Sequence, residues 1–530
     1  VRERKCIFPI RISRARGFFL MSRFSILYAN PDMAVSREAL KEPAFFSDLH
    51  LDQVVDAVIA GYEEYDLKPF FYESLKSCDA IAYRQEIVRD LGNTRLLEAL
   101  KSFSLGMQTM RTHLAQAKKL HNFSQKRRWF LDAVAVYCET IERLGNDLAD
   151  LDLASRGFQA LREFLNEYSH SPGFTSLVAE IAQLDAELSG VTYCLHIQGN
   201  KITVRKSKSS QDYIREVEHT FKGFLQDPVQ PFQERFPEYP EMNHVEAKVL
   251  DLVALQYPEV FSHLSAFHEK NLNYLDETVA RFDREVHFYL AYLDLVARIK
   301  NENLPFCIPE VSDTEKEVES REGFDLALAI RLSPQGIPVV TNDFYLEGRE
   351  RIFVITGPNQ GGKTTFARVF GQLHFLAGLG CPVPGRTARL YLFDRIFTHF
   401  EREESLGNLR SKLEDDLLRI HSIFTTCTPR SIIIINEMFT STTVQDALYL
   451  GRKVLEQAIQ LDLLCIYVTF LDELTMLEKT VSMVSTVAPD NPDVRTYRVV
   501  RRPADGLSYA IAIARKKRVT YEAILERIPS

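Results

Sequence analysis

Apolar residues recur at helical spacing through most of the first part of the chain. They lie three or four positions apart between residues 51 and 62, and a second clear stripe runs from Phe282 to Val296. This spacing places the apolar side chains on one face of a helix, which is typical of packed helices. Longer amphipathic stretches occur near residues 96–120, 128–151 and 174–188. We therefore predict a mainly α-helical region.

Near residue 191 apolar and polar residues begin to alternate, which is the two-residue period of a β-strand. Residues 191–197 predict a strand, residues 199–200 a turn, and residues 201–205 a return strand. The return strand is basic, which favours either a contact with a DNA backbone or a solvated edge that lysines protect from aggregation. On the residues alone the solvated edge is the simpler interpretation. The candidate DNA contacts are Lys201, Arg205 and Lys206.

Further along, continuous apolar runs alternate with helical stripes. The runs at Ser431–Ile435 and Leu463–Val468 are typical of central parallel strands that are buried on both faces. Other strands are expected over residues 352–356, 390–398, 481–487 and 494–500, and helices over 366–379, 412–425 and 446–460. Alternating strands and helices predict an α/β domain.

These patterns divide the chain into four parts. Residues 1–20 match no targeting pattern, and we expect a disordered or mis-assigned N-terminal extension. Residues 21–312 form the helical region. The charged stretch 313–323 is expected to be an exposed linker, and residues 324–530 form the α/β domain.

Composition narrows the classes of function. The chain has 530 residues, of which 45% are hydrophobic and 26% charged, as in ordinary multidomain globular proteins. A net charge of −8 gives no global attraction to DNA or membranes, so any DNA contact must use local basic patches. The eight cysteines are scattered without a C-x-x-C pair, which favours a cytoplasmic protein over a disulfide framework or a zinc site. No apolar run reaches membrane-spanning length.

The clearest chemical signal is a glycine-rich turn between a predicted strand and a predicted helix. Its spacing matches the phosphate-binding pattern G-x-x-x-x-G-K-[ST]. Glycines let backbone N–H groups curl around phosphates, and the helix N-terminus adds partial positive charge. Lys363 is expected to neutralise the β- and γ-phosphates, and Thr364 to bind Mg²⁺. The predicted phosphate-binding residues are Gly357, Pro358, Asn359, Gln360, Gly361, Gly362, Lys363, Thr364 and Thr365.

Two polar residues directly follow the apolar run 431–435. Asn436 and Glu437 stand where an acidic pair commonly serves phosphate chemistry, the first residue steadying Mg²⁺ and the second orienting the attacking water. Glu437 is therefore the candidate base, acting with Lys363. Asn436 is a candidate Mg²⁺ partner, neutral and hence weaker than aspartate.

These segments resemble the ATPase domain of the MutS mismatch-repair family. Thr356–Thr365 resembles the family loop T-G-P-N-x-G-G-K-[ST]-T, in which Pro-Asn is more specific than the generic motif. Four further segments resemble D-R-I-F-T, T-S-x-x-D, T-H-x-x-E-L and G-x-x-x-S-Y-G-x-x-x-A, in this order: Asp394–Thr398, Thr442–Asp446, Val468–Leu474 and Gly506–Ala512. Asn436 and Glu437 stand at the family's D-E pair.

The resemblance implies an ATP- and Mg²⁺-dependent ATPase that holds duplex, mismatched or branched DNA as an ATP-switched clamp in repair or recombination. It implies that Asn342 contacts the adenine. It also implies that Ser411, in the signature loop, contacts ATP bound to a second subunit of a homodimer. The helical region would be the family's core and lever, with a clamp-like insertion around 189–240. The residues before the ATPase domain leave no room for both a mismatch-reading and a connector domain.

Departures from the family pattern leave other interpretations open. Asn436 replaces an aspartate, Phe470 replaces the histidine of the switch segment, and Leu409 replaces the first glycine of the signature loop. The first two changes favour a nucleotide-gated protein-interaction module that hydrolyses ATP weakly or not at all. An SMC-like or transporter-type ATPase is disfavoured, since the chain lacks long heptad repeats and membrane spans.

Overall fold

The computed structural model describes residues 24–31, 41–207, 242–300, 303–401, 411–488 and 491–504, together with residues 521 and 524. These residues belong to two compact units. The first consists of Phe24, Asn93–Asp152 and Gln159–Ala280, and the second of Ser25–Gly92, Leu153–Phe158 and the chain from Arg281 onward. The predicted extension 1–20, the segment 208–240 of the predicted insertion and the MutS-like segment 506–512 lie outside the described residues.

Helices account for much of both units. In chain order they are α1 (Phe46–Leu49), α2 (Leu51–Ile59), α3 (Cys78–Asp90), α4 (Thr94–Lys119), α5 (Phe123–Ala149), α6 (Arg156–Ser169), α7 (Pro172–Ser189), α8 (His244–Gln256), α9 (Pro258–Lys270), α10 (Glu277–Lys300), α11 (Leu326–Leu332), α12 (Lys363–Gly378), α13 (Lys412–Thr426) and α14 (Val444–Gln460). The apolar stripes are buried as predicted. In α2, for example, Leu51, Val54, Val55 and Val58 all face the core.

The strands are shorter. They are β1 (Tyr193–Gln198), β2 (Lys201–Lys206), β3 (Phe306–Cys307), β4 (Glu310–Ser312), β5 (Val318–Gly323), β6 (Asn342–Leu346), β7 (Ile352–Thr356), β8 (Val383–Pro384), β9 (Thr387–Tyr391), β10 (Ile396–His399), β11 (Ile432–Asn436), β12 (Leu464–Val468), β13 (Thr480–Ala488) and β14 (Asn491–Arg501). The predicted multidomain class, with many helices and several sheets, is confirmed.

The first unit combines long helices with one hairpin. Helices α4 and α5 pack so closely that a Cβ atom on Gly106 would lie 2.2 Å from the Thr140 hydroxyl oxygen. Strands β1 and β2 pair antiparallel, with Gln198 opposite Lys201 and Cys194 opposite Arg205. The predicted basic hairpin is therefore present.

The second unit contains a six-stranded sheet with the strand order β10-β11-β12-β7-β13-β14. Strands β10 to β13 run parallel, and β14 is an antiparallel edge strand. Strands β7 and β12 are buried along their whole length, as their apolar runs predicted. Because parallel strands end at the same edge of a sheet, the residues that follow β7, β11 and β12 meet there.

Two sequence-based expectations in this unit are wrong. The single strand predicted over 390–398 is two strands in different sheets, because the chain turns at Asp394, whose carboxylate accepts hydrogen bonds from Thr428 and Ser431. The stretch 313–323 is not an exposed linker along its whole length. Residues 318–323 form β5, which pairs with β6 and β9 and buries Val318 and Ser320.

Across the described part of the chain, no helix combines the length and the apolar character that crossing a membrane requires.

Candidate nucleotide-binding site

The glycine-rich loop joins the end of β7 to the start of α12, as predicted. Gly357 and Gly362 take φ angles of 113° and 95°, a left-handed conformation that side chains with a Cβ atom disfavour. A Cβ atom on Gly357 would lie 2.7 Å from the Ser485 carbonyl oxygen, and one on Gly361 only 2.0 Å from the Ser485 hydroxyl. The loop therefore needs glycine for its backbone angles and for its close contact with β13.

Lys363 points back into this loop. Its ammonium donates hydrogen bonds to the carbonyl oxygens of Gly357 and Pro358 at 3.1 and 3.2 Å, and lies 3.9 Å from the Glu437 carboxylate. The side chain is only 4% exposed. Burial lowers the pKa of Lys363, while the charge of Glu437 opposes that shift. The lysine thus places a shielded positive charge at the centre of the loop.

The residues after β11 complete the polar end of the site. The Thr364 hydroxyl donates a hydrogen bond to the Asn436 side-chain oxygen at 3.0 Å. Glu437 has a φ angle of 55°, and its backbone N–H donates to the Val468 carbonyl oxygen. Burial raises the pKa of the Glu437 carboxyl group, and Lys363 opposes this shift. A carboxylate with a raised pKa accepts a proton more readily than an exposed glutamate does.

Phe470 lies over the lysine. The Lys363 ammonium is 4.2 Å from the centre of the Phe470 ring, which is the arrangement of a cation–π contact. Phe470 follows β12 and is 48% exposed. The Phe470 ring therefore occupies the solvent side of the lysine, where it can neither donate a hydrogen bond to a phosphate nor carry a proton.

A cleft of about 440 Å³ opens beside the loop. One wall is apolar, with Leu328 and Leu332 on α11 and the segment Ile337–Val340. The other end is polar and contains Gln360–Thr365 and Glu437. This division suits a ligand that has an apolar ring at one end and phosphates at the other.

The edge strand β14 also contributes to the cleft, although the sequence patterns did not predict it. Tyr497 lines the cleft, and the Arg495 guanidinium donates to the Asn359 carbonyl oxygen at 3.1 Å. The Ser485 hydroxyl donates to the Gly361 carbonyl oxygen. These residues meet the loop through the pairing of strands that are distant in sequence. No local motif in the sequence identifies them.

Asn342 and Ser411, the other two predicted nucleotide-binding residues, make hydrogen bonds within the protein. Asn342 lines the cleft, but its amide makes hydrogen bonds to β14 on both sides. Ser411 caps the N-terminus of α13 by accepting a hydrogen bond from the Glu414 N–H, and it is not among the residues that line the cleft. Its predicted contact across a dimer stays a prediction.

The candidate DNA contacts lie in the first unit and do not share one face of the hairpin. Lys201 and Arg205 are four residues apart on β2, so their side chains point to the same face. Lys206 points to the opposite face, with its ammonium 4.5 Å from the centre of the Tyr257 ring. Lys206 is thus engaged within the unit.

The polar end of the cleft fits Mg²⁺ that arrives with a nucleotide. Thr364 and Asn436 offer two neutral oxygen atoms close together. Among the described residues, no group of three or more His, Cys, Asp and Glu side chains could hold a metal ion alone. Mg²⁺ is commonly held by one or two protein oxygens together with phosphates and water, so this arrangement is compatible with it.

Comparison with known proteins agrees with these observations. A family model described as MutS domain V matches residues 353–527. The DNA mismatch repair protein MutS of Thermotoga sp. (strain RQ2) is 33% identical over 181 residues, which cover 33% of this chain and 23% of that protein. The MutS of Clostridioides difficile (strain 630) is 24% identical over 495 residues, or 89% of this chain and 49% of that protein.

A protein named endonuclease MutS2, from Gemmatimonas aurantiaca, is 26% identical over 401 residues, which cover 74% of this chain and 47% of that protein. The chain thus spans less than half the length of each of these three relatives. The matched segment contains the glycine-rich loop and Glu437, and the longer alignments extend into the helical region. These matches confirm the resemblance of this chain to the MutS family.

Proposed function

We propose that this chain binds and hydrolyses ATP and uses the nucleotide to switch its hold on duplex, mismatched or branched DNA. The observation that carries this proposal is the meeting of Lys363, Thr364 and Glu437 at one end of the cleft. The family relationship supports it, since two relatives are named DNA mismatch repair proteins.

The residues of the cleft have separate roles in this proposal. The backbone of Gly357–Thr365 and the N-terminus of α12 bind the phosphates, and the apolar wall holds the base. Bound Mg²⁺ would supply charge neutralisation beside Thr364 and Asn436. Lys363 exchanges its hydrogen bonds with the loop carbonyls for phosphate oxygens. The predicted adenine contact of Asn342 would use the second N–H and the second oxygen lone pair of its amide, since the first of each bonds to β14.

Glu437 is the proposed base. Its carboxylate is close to Lys363 and faces the cleft, where it orients a water molecule and takes up a proton from it. Because burial raises the pKa of Glu437, the carboxylate is a stronger base than an exposed glutamate at the same pH. The nearby positive charge of Lys363 keeps the raised pKa from rising further.

The test is the steady-state rate of ATP hydrolysis, measured without DNA and with duplex, mismatched and four-way-junction DNA. We expect turnover that DNA stimulates, and a loss of at least about a hundredfold in Glu437→Ala, as is typical when a general base is removed. Thermal denaturation of the variant checks that it is folded. Turnover that the substitution leaves unchanged would contradict the assignment of Glu437.

Two observations favour a second candidate, a nucleotide-gated module that binds a protein partner and hydrolyses ATP weakly. Asn436 is neutral where a charged Mg²⁺ ligand would be stronger, and Phe470 covers Lys363 with a ring that cannot form a hydrogen bond to phosphate. Both features favour slow hydrolysis with intact binding. ATP binding without turnover above the Glu437→Ala variant would support this module.

A further inference from the structure

The strand that borders the phosphate-binding loop carries a bulge. Between Ser485 and Val487 strand β13 advances two residues, whereas its partner β14 advances four residues, from Arg495 to Val499. The additional residues lie within 496–498, and Tyr497 takes a φ angle of 58°. A tyrosine in this left-handed conformation is strained, and it persists only where its surroundings hold it in place.

Two sets of hydrogen bonds hold the bulge. On one side the Thr486 and Thr496 hydroxyl oxygens are 2.5 Å apart, and the Thr486 hydroxyl also donates to the Arg498 carbonyl oxygen. On the other side Asn342 donates from Nδ2 to the Tyr497 carbonyl oxygen at 3.2 Å. Its Oδ1 accepts from the Val499 N–H at 2.7 Å. Asn342 belongs to β6 in the four-stranded sheet, so one amide fastens the bulge to a second sheet.

The bulge lies directly against the phosphate-binding loop. A Cβ atom on Gly362 would come within 3.4 Å of the Tyr497 carbonyl oxygen and 3.6 Å of its Cα atom. Tyr497, which is 54% exposed, also lines the cleft. A shift of the bulge would therefore move the loop and this wall together.

Each polar atom of the Asn342 amide makes one hydrogen bond in this arrangement. A nucleotide base could reach only the second N–H or the second oxygen lone pair of this amide, because the first of each holds β14. Loss of either existing hydrogen bond would release the strained Tyr497 backbone. The same two hydrogen bonds explain why an asparagine, which carries one donor and one acceptor group, stands at this position.

We propose that Asn342 is a positioning residue, which holds the bulge 496–498 against the phosphate-binding loop and sets nucleotide affinity through Tyr497 without reading the base. This inference rests on the proposed function, because it assumes that the cleft binds ATP. It changes the role that family resemblance assigned to Asn342. It also adds Tyr497 to the site.

Calorimetric titration of the full chain with ATP, GTP and inorganic tripolyphosphate tests this proposal. Asn342→Ala should weaken ATP and GTP binding by the same factor, about tenfold, since up to two modest hydrogen bonds are lost. Asn342→Asp keeps the acceptor for Val499 but loses the donor to Tyr497, and should show a similar loss. Asp343→Asn, a change at the neighbouring residue, is the matched control and should leave the affinity unchanged.

A double-mutant cycle identifies the route of the effect. Tyr497→Asn removes the ring but tolerates the left-handed backbone. If Asn342 acts through Tyr497, the added effect of Asn342→Ala in this background should be less than about threefold.

Three outcomes would overturn the proposal. A loss confined to ATP, with GTP and tripolyphosphate unaffected, would make Asn342 a base-reading residue. A loss of affinity in the double variant equal to the product of the two single losses would show that Asn342 acts independently of Tyr497. A wild-type chain that binds none of the three ligands would instead refute the proposed function, and this inference with it.

Discussion

At the scale of single residues, the proposed hydrolysis depends on the charge around Thr364. Thr364 donates a hydrogen bond to the neutral Asn436 amide, and Glu437 is the one carboxylate among the described residues that line the cleft. A carboxylate oxygen binds Mg²⁺ more strongly than an amide oxygen does, because the ion is a hard cation. We therefore expect the neutral Asn436 to slow the proposed hydrolysis.

Asn436→Asp should raise the steady-state rate of ATP hydrolysis by about tenfold, equivalent to about 1.4 kcal/mol in the barrier. The added negative charge lies beside the Thr364 hydroxyl, where it strengthens Mg²⁺ binding. Asn436→Ala, which removes the oxygen, is the control and should lower the rate. An aspartate variant with no gain in rate would show that Asn436 already serves as well as a carboxylate.

The residues that sequence motifs identify are those whose roles depend on local backbone geometry. The pattern from Gly357 to Thr365 predicted the loop, because its glycines and the following helix act within one short segment. Tyr497 and Ser485 could not be predicted in this way. Their contacts depend on the register of β13 and β14 and on a bulge, which no spacing in the sequence encodes.

At the scale of elements, helix α12 joins the phosphate-binding loop to the rest of the second unit. Gln372, which is 0% exposed, donates to the Leu49 carbonyl oxygen at 2.8 Å and to the Asp325 carboxylate at 2.9 Å. Its side-chain oxygen accepts from the Leu326 N–H. One buried amide thus connects α12 with the end of α1 and the start of α11, the helix that lines the cleft.

Gln372→Met should lower the free energy of unfolding by about 2 to 4 kcal/mol. The methionine has a similar volume but leaves the Leu49 carbonyl and the Leu326 N–H without their partner. Urea denaturation, monitored by circular dichroism, measures the change. Gln335→Met, at an exposed glutamine just after α11, should shift the stability by less than about 0.5 kcal/mol. Equal effects of the two changes would contradict the role of Gln372.

Element prediction succeeded where burial follows the sequence pattern directly. The apolar runs ending at Ile435 and Val468 became β11 and β12 within a residue or two, because central strands are buried on both faces. It failed at residues 390–398 and 313–323. In the first case a turn at Asp394 sends the chain to another sheet, and in the second a strand begins beside charged residues.

At the scale of the whole molecule, a net charge of −8 means that any hold on DNA depends on a local surface. The structure divides the candidate residues into two groups. Lys201 and Arg205 share one face of the hairpin, while Lys206 lies against Tyr257 on the other. Only the first pair is arranged to contact one phosphate backbone.

Replacing both Lys201 and Arg205 with glutamate should weaken binding to duplex DNA and reduce its dependence on salt. Each lost phosphate contact removes about 0.9 from the slope of log K against log salt concentration, so the slope should fall by about 1.8.

Lys206→Gln is the matched control. Because the Lys206 ammonium contacts Tyr257, this change should alter DNA affinity by less than about twofold. Fluorescence anisotropy with labelled duplex at several salt concentrations gives both quantities. Unchanged affinity and slope in the double variant would remove the hairpin from the DNA interface. A large loss of DNA affinity in Lys206→Gln alone would instead show that the face of the hairpin with Lys206 contacts DNA.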